Sequence, residues 1–168
     1  MNNHPWYVLY VKPRHEKHVS GILRGKQYEE MLPLYTKQTR SRVTDLPLFP
    51  GYVFCRFNAS DRLPILTVPG VVNIVSLAGT PIPVADGEIE ALQRMIQHGL
   101  SREVWPSLPA GSRVTISRGP MKGIEGVVVK HRNVLRVIIT VTLLQRNVAV
   151  ELDRGWVDEE PQRMRAAM

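Results

Sequence analysis

The chain has 168 residues, 43% hydrophobic and 22% charged, with a formal net charge of +7 and a single cysteine. That balance fits one or two small folded domains and excludes an intrinsically disordered chain. One cysteine excludes an internal disulfide framework and a cysteine zinc site, and the surplus of cations points to acidic partners such as nucleic acid, an acidic protein surface or anionic lipid.

Trp6-Tyr7-Val8-Leu9-Tyr10-Val11 is aromatic and β-branched and predicts a strand. Within it Trp6, Val8 and Tyr10 alternate with Tyr7 and Leu9. Pro13 ends the strand and suits a helix start. Over residues 14–27, Val19, Ile22, Leu23 and Lys26 recur at helical spacing among basic residues. Residues 30–39, with Leu32, Leu34 and Tyr35, read as a second strand, and 37–42 (KQTRSR) as a basic polar loop. The charge is most biased over residues 1–42, which hold eight Lys/Arg against three Asp/Glu.

The stretch PLFPGYVFCRF, residues 47–57, contains a third strand over 52–57. Tyr52, Phe54 and Arg56 share one of its faces, and Val53, Cys55 and Phe57 the other. Both faces are therefore apolar, and one of them needs a helix layer or a partner to cover it. Residues 61–67 predict a short helix, Pro69-Gly70 a break, 71–75 a fourth strand and 78–83 a turn. Asp86 reads as a helix cap, with Ile89, Leu92, Met95 and Ile96 following on one face.

Residues 99–109, with Trp105-Pro106 and Leu108-Pro109, break all periodicity and read as a semi-stiff joint. Beyond it, 114–116, 124–129, 134–142 and 148–152 are short β-rich runs, with turns expected at Asn133 and Asn147. This is the spacing of a small barrel. Within residues 112–129 a strand enters a loop at Gly119-Pro120, and Val127-Val128-Val129 leaves as the next strand. Gly123 and Gly126 supply positive φ or close backbone approach at the reversal. The segment resembles the KOW motif; a plain glycine-rich hairpin is the alternative reading.

WYVLY, PLFPGYVF, Val68-Pro69-Gly70-Val71 and the KOW-like segment stand in the order found in NusG-type transcription elongation factors, over about residues 5–158. The resemblance implies an α+β fold. Residues 1–98 would form a four-stranded antiparallel sheet flanked by helices, 99–109 the joint, 110–160 a small SH3-like β-barrel and 161–168 a tail. It implies a factor that binds RNA polymerase through its N-terminal domain, passes near the non-template DNA strand and recruits a further factor through the KOW domain.

The residues that carry those roles by resemblance are specific. Val8, Tyr10, Tyr52 and Phe54, with Phe49 at the rim and Ile89 and Leu92 bordering, would form an uncovered aromatic patch for a coiled-coil tip in the clamp of the polymerase's largest subunit. Truncation of Tyr52 or Phe49 would then weaken polymerase binding with little change in stability. Lys12, Arg14, His15, Lys17, Arg24 and Lys26, on or beside the first helix, would face DNA through sequence-independent phosphate contacts; a solvated helix face is the alternative. Leu143, Leu144 and Arg146 would contact the KOW partner, Rho or a small-subunit ribosomal protein. Where housekeeping members show Ile-Phe-Gly-Arg, Leu144 replaces the aromatic and Gln145 the glycine, which tilts the chain toward the antiterminator paralogues of long surface-polysaccharide operons. The β-branched run over 137–142 predicts that the barrel does not refold into helix, as it does in one branch of those paralogues. Asp61-Arg62-Leu63-Pro64 departs from the Thr-rich stretch by which specialised relatives touch the other large polymerase subunit.

His15-Glu16-Lys17-His18 places its histidines three apart, lacks a third ligand cluster and reads as a solvated helix face rather than a metal site. No nucleophile elbow, Walker loop or dinucleotide fingerprint is present, and Cys55 inside a strand reads as packing. The chain thus reads as a binding protein with no cofactor and no catalytic residue. Lacking a secretory signal pattern or a spanning apolar run, it is expected to be a cytoplasmic monomer with no membrane contact. A ribosome- or RNA-associated KOW protein is the competing reading, and the pairing of WYVLY with LFPGYVF argues against it.

Overall fold

The computed structural model describes residues 3–106 and 111–157. In chain order the elements are β1 (Trp6–Val11), α1 (Glu16–Gly25), β2 (Glu29–Met31), β3 (Leu34–Gln38), β4 (Val43–Pro47), β5 (Tyr52–Arg56), α2 (Leu63–Leu66), β6 (Val71–Ile74), β7 (Ser76–Leu77), β8 (Thr80–Pro81), α3 (Asp86–Gln97), β9 (Arg102–Trp105), β10 (Ser112–Thr115), β11 (Glu125–His131), β12 (Val134–Val141) and β13 (Arg146–Leu152).

The two aromatic strands take the middle of the first sheet, whose order is β2-β5-β1-β6 with every pairing antiparallel. Alternation then gives the sheet two apolar faces. Tyr7, Leu9, Val11, Val53, Cys55 and Phe57 pack with Val19 and Leu23 of α1 and Ile65 of α2. On this side the rings of Tyr7 and Phe57 are 4.9 Å apart. Past the end of α1, Gln27 takes φ 67° and the Tyr28 N–H donates to the Leu23 carbonyl at 3.0 Å, a close that satisfies an orphan helix carbonyl. The opposite face carries Trp6, Val8, Phe54 and Met31, which cluster with Val84, Ile89, Leu92 and Met95 of the α3 region.

Several expectations need correction. The strand expected over 30–39 is two, β2 and β3, parted at Leu32-Pro33 because proline has no N–H to donate to a ladder. The second of them pairs with β4, which the sequence reading missed, so the basic 37–42 stretch is the end of a two-stranded ribbon rather than a plain loop. Residues 78–83, read as a turn, do turn at Ala78 (φ 49°) and Gly79 (φ 79°), but they also hold β8, which pairs with β7 just before the turn. Asp86 does not cap α3: Ala85 holds the cap position, and Asp86 and Glu88 sit in the first turn, where their charge complements the helix dipole.

The second sheet has five antiparallel strands in the order β10-β11-β12-β13-β9. Arg132 (φ 50°) and Asn133 (φ 63°) close a two-residue hairpin between β11 and β12, as expected of Asn133. The turn expected at Asn147 lies earlier, over residues 142–145, with Gln145 at φ 51°; Asn147 itself is in β13 opposite Thr140. Gly126 answers to close approach: a Cβ there would lie 2.5 Å from Val137 Cγ2 and 2.7 Å from the Ile138 carbonyl oxygen. The stretch read as a joint holds a strand, since Arg102–Trp105 pairs with Asn147–Val150 of β13. Residues 107–110 of that joint and the tail 161–168 lie outside the described residues.

The two sheets share one apolar cluster. It runs from Val8 and Phe54 through Ile89, Ala91 and Leu92 to Ile124, Val137, Ile139 and Leu144. Thr142 donates from its N–H (3.1 Å) and its hydroxyl (2.6 Å) to Glu88 Oε1, and Arg94 donates to the Lys122 carbonyl. α3 is thus held between the sheets. Along the seam remains a cavity of about 550 Å³ lined by Gly87, Glu88 and Ala91 on the helix side and Ile124, Ile139 and Thr140 on the other.

Candidate functional site

The aromatic residues of β1 and β5 come together as their alternation requires. Val8 lies opposite Phe54 and Tyr10 opposite Tyr52 in the ladder. The Tyr10 and Tyr52 rings are 5.7 Å apart, and those of Phe49 and Phe54 5.5 Å apart, edge to face. The expected uncovered wall is nevertheless mostly covered. Val8, Phe49, Phe54, Ile89 and Leu92 are buried, with Phe49 only 1% and Phe54 0% exposed. Ile89 and Leu92 are three apart on α3, so they present together, and they join these rings in one cluster. Tyr10, at 45% exposure, and the half-buried Tyr52 stay at the open end.

At that end lies a groove of about 580 Å³. Tyr10, Tyr35, Leu46, Pro47 and Pro50 give it apolar walls, and two cations, Arg14 and Lys17, and two acids, Glu16 and Asp45, also line it. Its shape is set by buried polar contacts that sequence reasoning did not find. The Glu16 carboxylate, buried at the start of α1, accepts the Gly51 N–H at 2.9 Å, while the Val11 N–H donates to the Gly51 carbonyl at 2.8 Å. Gly51 itself is at φ 85°, a region that favours glycine. Lys17 Nζ donates to the Asp45 carbonyl at 2.8 Å and ties α1 to β4. Arg102 reaches from β9 to donate to the carbonyls of Leu34 (2.7 Å), Leu100 (3.0 Å) and Met95 (3.3 Å), and burial pulls its guanidinium down from its ordinary range against the opposing charge of Asp45. The only hint of Glu16 in the sequence was a lone acid in a basic helix.

Lys12, Arg14, His15, Lys17, Arg24 and Lys26 are all exposed. They are not equivalent. Arg24 donates twice to Glu30 Oε1, at 2.9 and 2.7 Å, and Ser20 holds the other oxygen of the same carboxylate, so Arg24 is already neutralised. His15 Nδ1 lies 3.0 Å from the Pro13 carbonyl oxygen. In the C-terminal sheet Leu144 is buried in the shared cluster, Leu143 is half-buried and Arg146 is exposed.

Cys55 is fully buried, and desolvation first, then the Glu30 charge, pushes its thiol up to about 12, so it is a poor nucleophile. Among the described residues no group of His, Cys, Asp and Glu is arranged to hold a metal ion, and no helix is long and apolar enough to cross a membrane.

Four known relatives and models are similar to this chain. A solved structure, described as domain interaction in Thermotoga maritima NusG, is similar with a TM-score of 0.57 at 23% identity, covering 92% of this chain and 96% of that one. The NusG protein of Halalkalibacterium halodurans, named a transcription termination/antitermination protein, is 25% identical over 92% of this chain and 97% of its own length. The Helicobacter pylori protein of the same name is 22% identical over 74% of this chain and 72% of its own. A family model described as transcription termination factor nusG matches residues 4–93, more than half of the chain. The chain belongs to the NusG family.

Proposed function

We propose that this protein is a transcription elongation and antitermination factor that docks on RNA polymerase through the groove at Tyr10 and recruits a further factor through its C-terminal sheet. NusG-family factors are transcription factors that act by binding, without catalysis. The groove carries the reading. It is mostly apolar, with Arg14 and Lys17 and the acids Glu16 and Asp45 also in its lining, and it is held at the end of the two strands that contain the family-like motifs. Aromatic side chains at such a mouth give large contact area at small entropic cost, which suits a protein partner. In this reading the coiled-coil tip of the polymerase clamp rests on Tyr10 and Tyr52, and the buried Phe49 and Phe54 brace them from behind. Lys12, Arg14, His15, Lys17 and Lys26, on or beside α1, lie alongside the non-template strand. The C-terminal sheet is the KOW barrel, and Arg146 is its most accessible partner contact.

The test is direct. Tyr10→Ala combined with Leu46→Asp should weaken binding to core RNA polymerase at least tenfold, read by surface-immobilised polymerase, while the thermal transition stays in place. Native affinity in a folded variant sinks the groove assignment; recovery of ribosomal subunits without polymerase would favour the ribosomal reading.

A further inference from the structure

We infer that the cleft where β3 meets β9 and β12 is a site for a small free anion of the pyrophosphate kind, which clasps the N-terminal half of the chain to the C-terminal sheet. The inference does not rest on polymerase binding. A cavity of about 400 Å³ lies at this junction, within the range of about 300–1,000 Å³ that suits a small ligand. Thr36 and Lys37 of β3 line one side of it, and Arg102 and Glu103 of β9 with Arg136 of β12 line the other. The lining thus sets three cations against one acid. That acid is already engaged, since Arg136 Nε lies 3.2 Å from Glu103 Oε1. Among the described residues, no carboxylate lies within ion-pairing distance of Lys37 or Arg102.

The register builds the C-terminal wall. Ala149 of β13 stands opposite Glu103 on one side and Ile138 on the other, so Arg136, two residues from Ile138, shares a face with Ala149 and Glu103. The short, buried Ala149 side chain lets Arg136 pass over it to Glu103. Arg102 closes the cleft. It donates to the carbonyls of Leu34, Leu100 and Met95, neutral acceptors that orient the guanidinium without cancelling its charge. Burial disfavours that charge, and Asp45, whose Oδ1 accepts the Thr36 hydroxyl at 2.7 Å, offsets only part of the cost. Glu151 stands opposite Arg136 in the ladder but outside the lining. A desolvated cation gains most from an anion that accepts its hydrogen bonds, and the planar guanidinium fork fits phosphate oxygens. Two arginines and a lysine favour more than one negative charge, as two linked phosphates provide. The cleft lies between two parts of the fold and admits a compact anion, which therefore touches both.

The experiment titrates the full chain with inorganic pyrophosphate in a calorimeter, without polymerase. One anion should bind per chain and raise the thermal midpoint as its concentration rises. Lys37→Glu places an acid at the exposed edge of the cleft and should weaken binding about tenfold, with the ligand-free melt unmoved. Glu103→Gln removes the one acid of the lining and should tighten binding. Amide exchange should slow in β3 and β9 together when the anion is added. Absence of binding, or equal affinity in the native chain and both variants, overturns the assignment. So does slowed exchange in one strand alone, or displacement of the anion by a random-sequence duplex at equal phosphate concentration, which would make this a backbone-phosphate surface rather than a site for a free anion.

Discussion

Tyr10 and Phe54 sit two ladder positions apart on one sheet face, yet their energetic roles differ. Phe54 is fully enclosed and in edge contact with Phe49, so Phe54→Ala should cost about 3–5 kcal/mol through lost transfer energy and a cavity. Tyr10, nearly half exposed, should cost within about 0.5 kcal/mol as Tyr10→Ala. Chemical denaturation of the two variants checks the contrast, and equal losses would refute it. Phe49, 1% exposed, falls with Phe54, so its truncation should cost stability too rather than spare it. Alternation along β1 and β5 was legible residue by residue, because it depends only on the pleat. The fate of each ring was not, because the cover comes from α3, some thirty residues further along the chain.

At the scale of elements, β11 leaves the glycine loop with Gly126 pressed against β12. Gly126→Ala places a methyl within 2.5 Å of Val137 Cγ2 and 2.7 Å of a backbone oxygen, and the backbone cannot yield as a side-chain tip would. A loss of about 1–3 kcal/mol is expected, read as a lower thermal midpoint with retained strand signal. Gly123→Ala is strained for another reason, its φ of 86°, although open space surrounds it. Both glycines were legible as turn and close-approach residues. β4 and β9 were not. Each is short and polar, with Asp45 in one and Glu103 in the other, and each becomes a strand only because a partner ladder, β3 or β13, accepts its backbone hydrogen bonds.

For the whole molecule, the notable contact is the seam between α3 and the C-terminal sheet. Ala91 is 2% exposed and lines the seam, and Glu88 accepts two hydrogen bonds from Thr142 across it. Ala91→Arg should separate the halves while each keeps its own sheet, read as a larger radius of gyration in solution scattering with unchanged far-ultraviolet dichroism. An unaltered radius in the folded variant would show that the seam does not hold the halves together. The separated form would also expose Leu144, which the closed arrangement buries. What the amino-acid order determined alone was local: which apolar, β-branched stretches are strands, where glycine is required, which faces are apolar and where cations outnumber acids. Those properties follow from backbone sterics and side-chain period, which act over a few residues. Tertiary structure alone decided which aromatics stay open, which cations are already paired and where the second sheet rests. Burial and charge compensation depend on groups brought from far along the chain, such as Ile89 over Phe54 and Glu88 against Thr142.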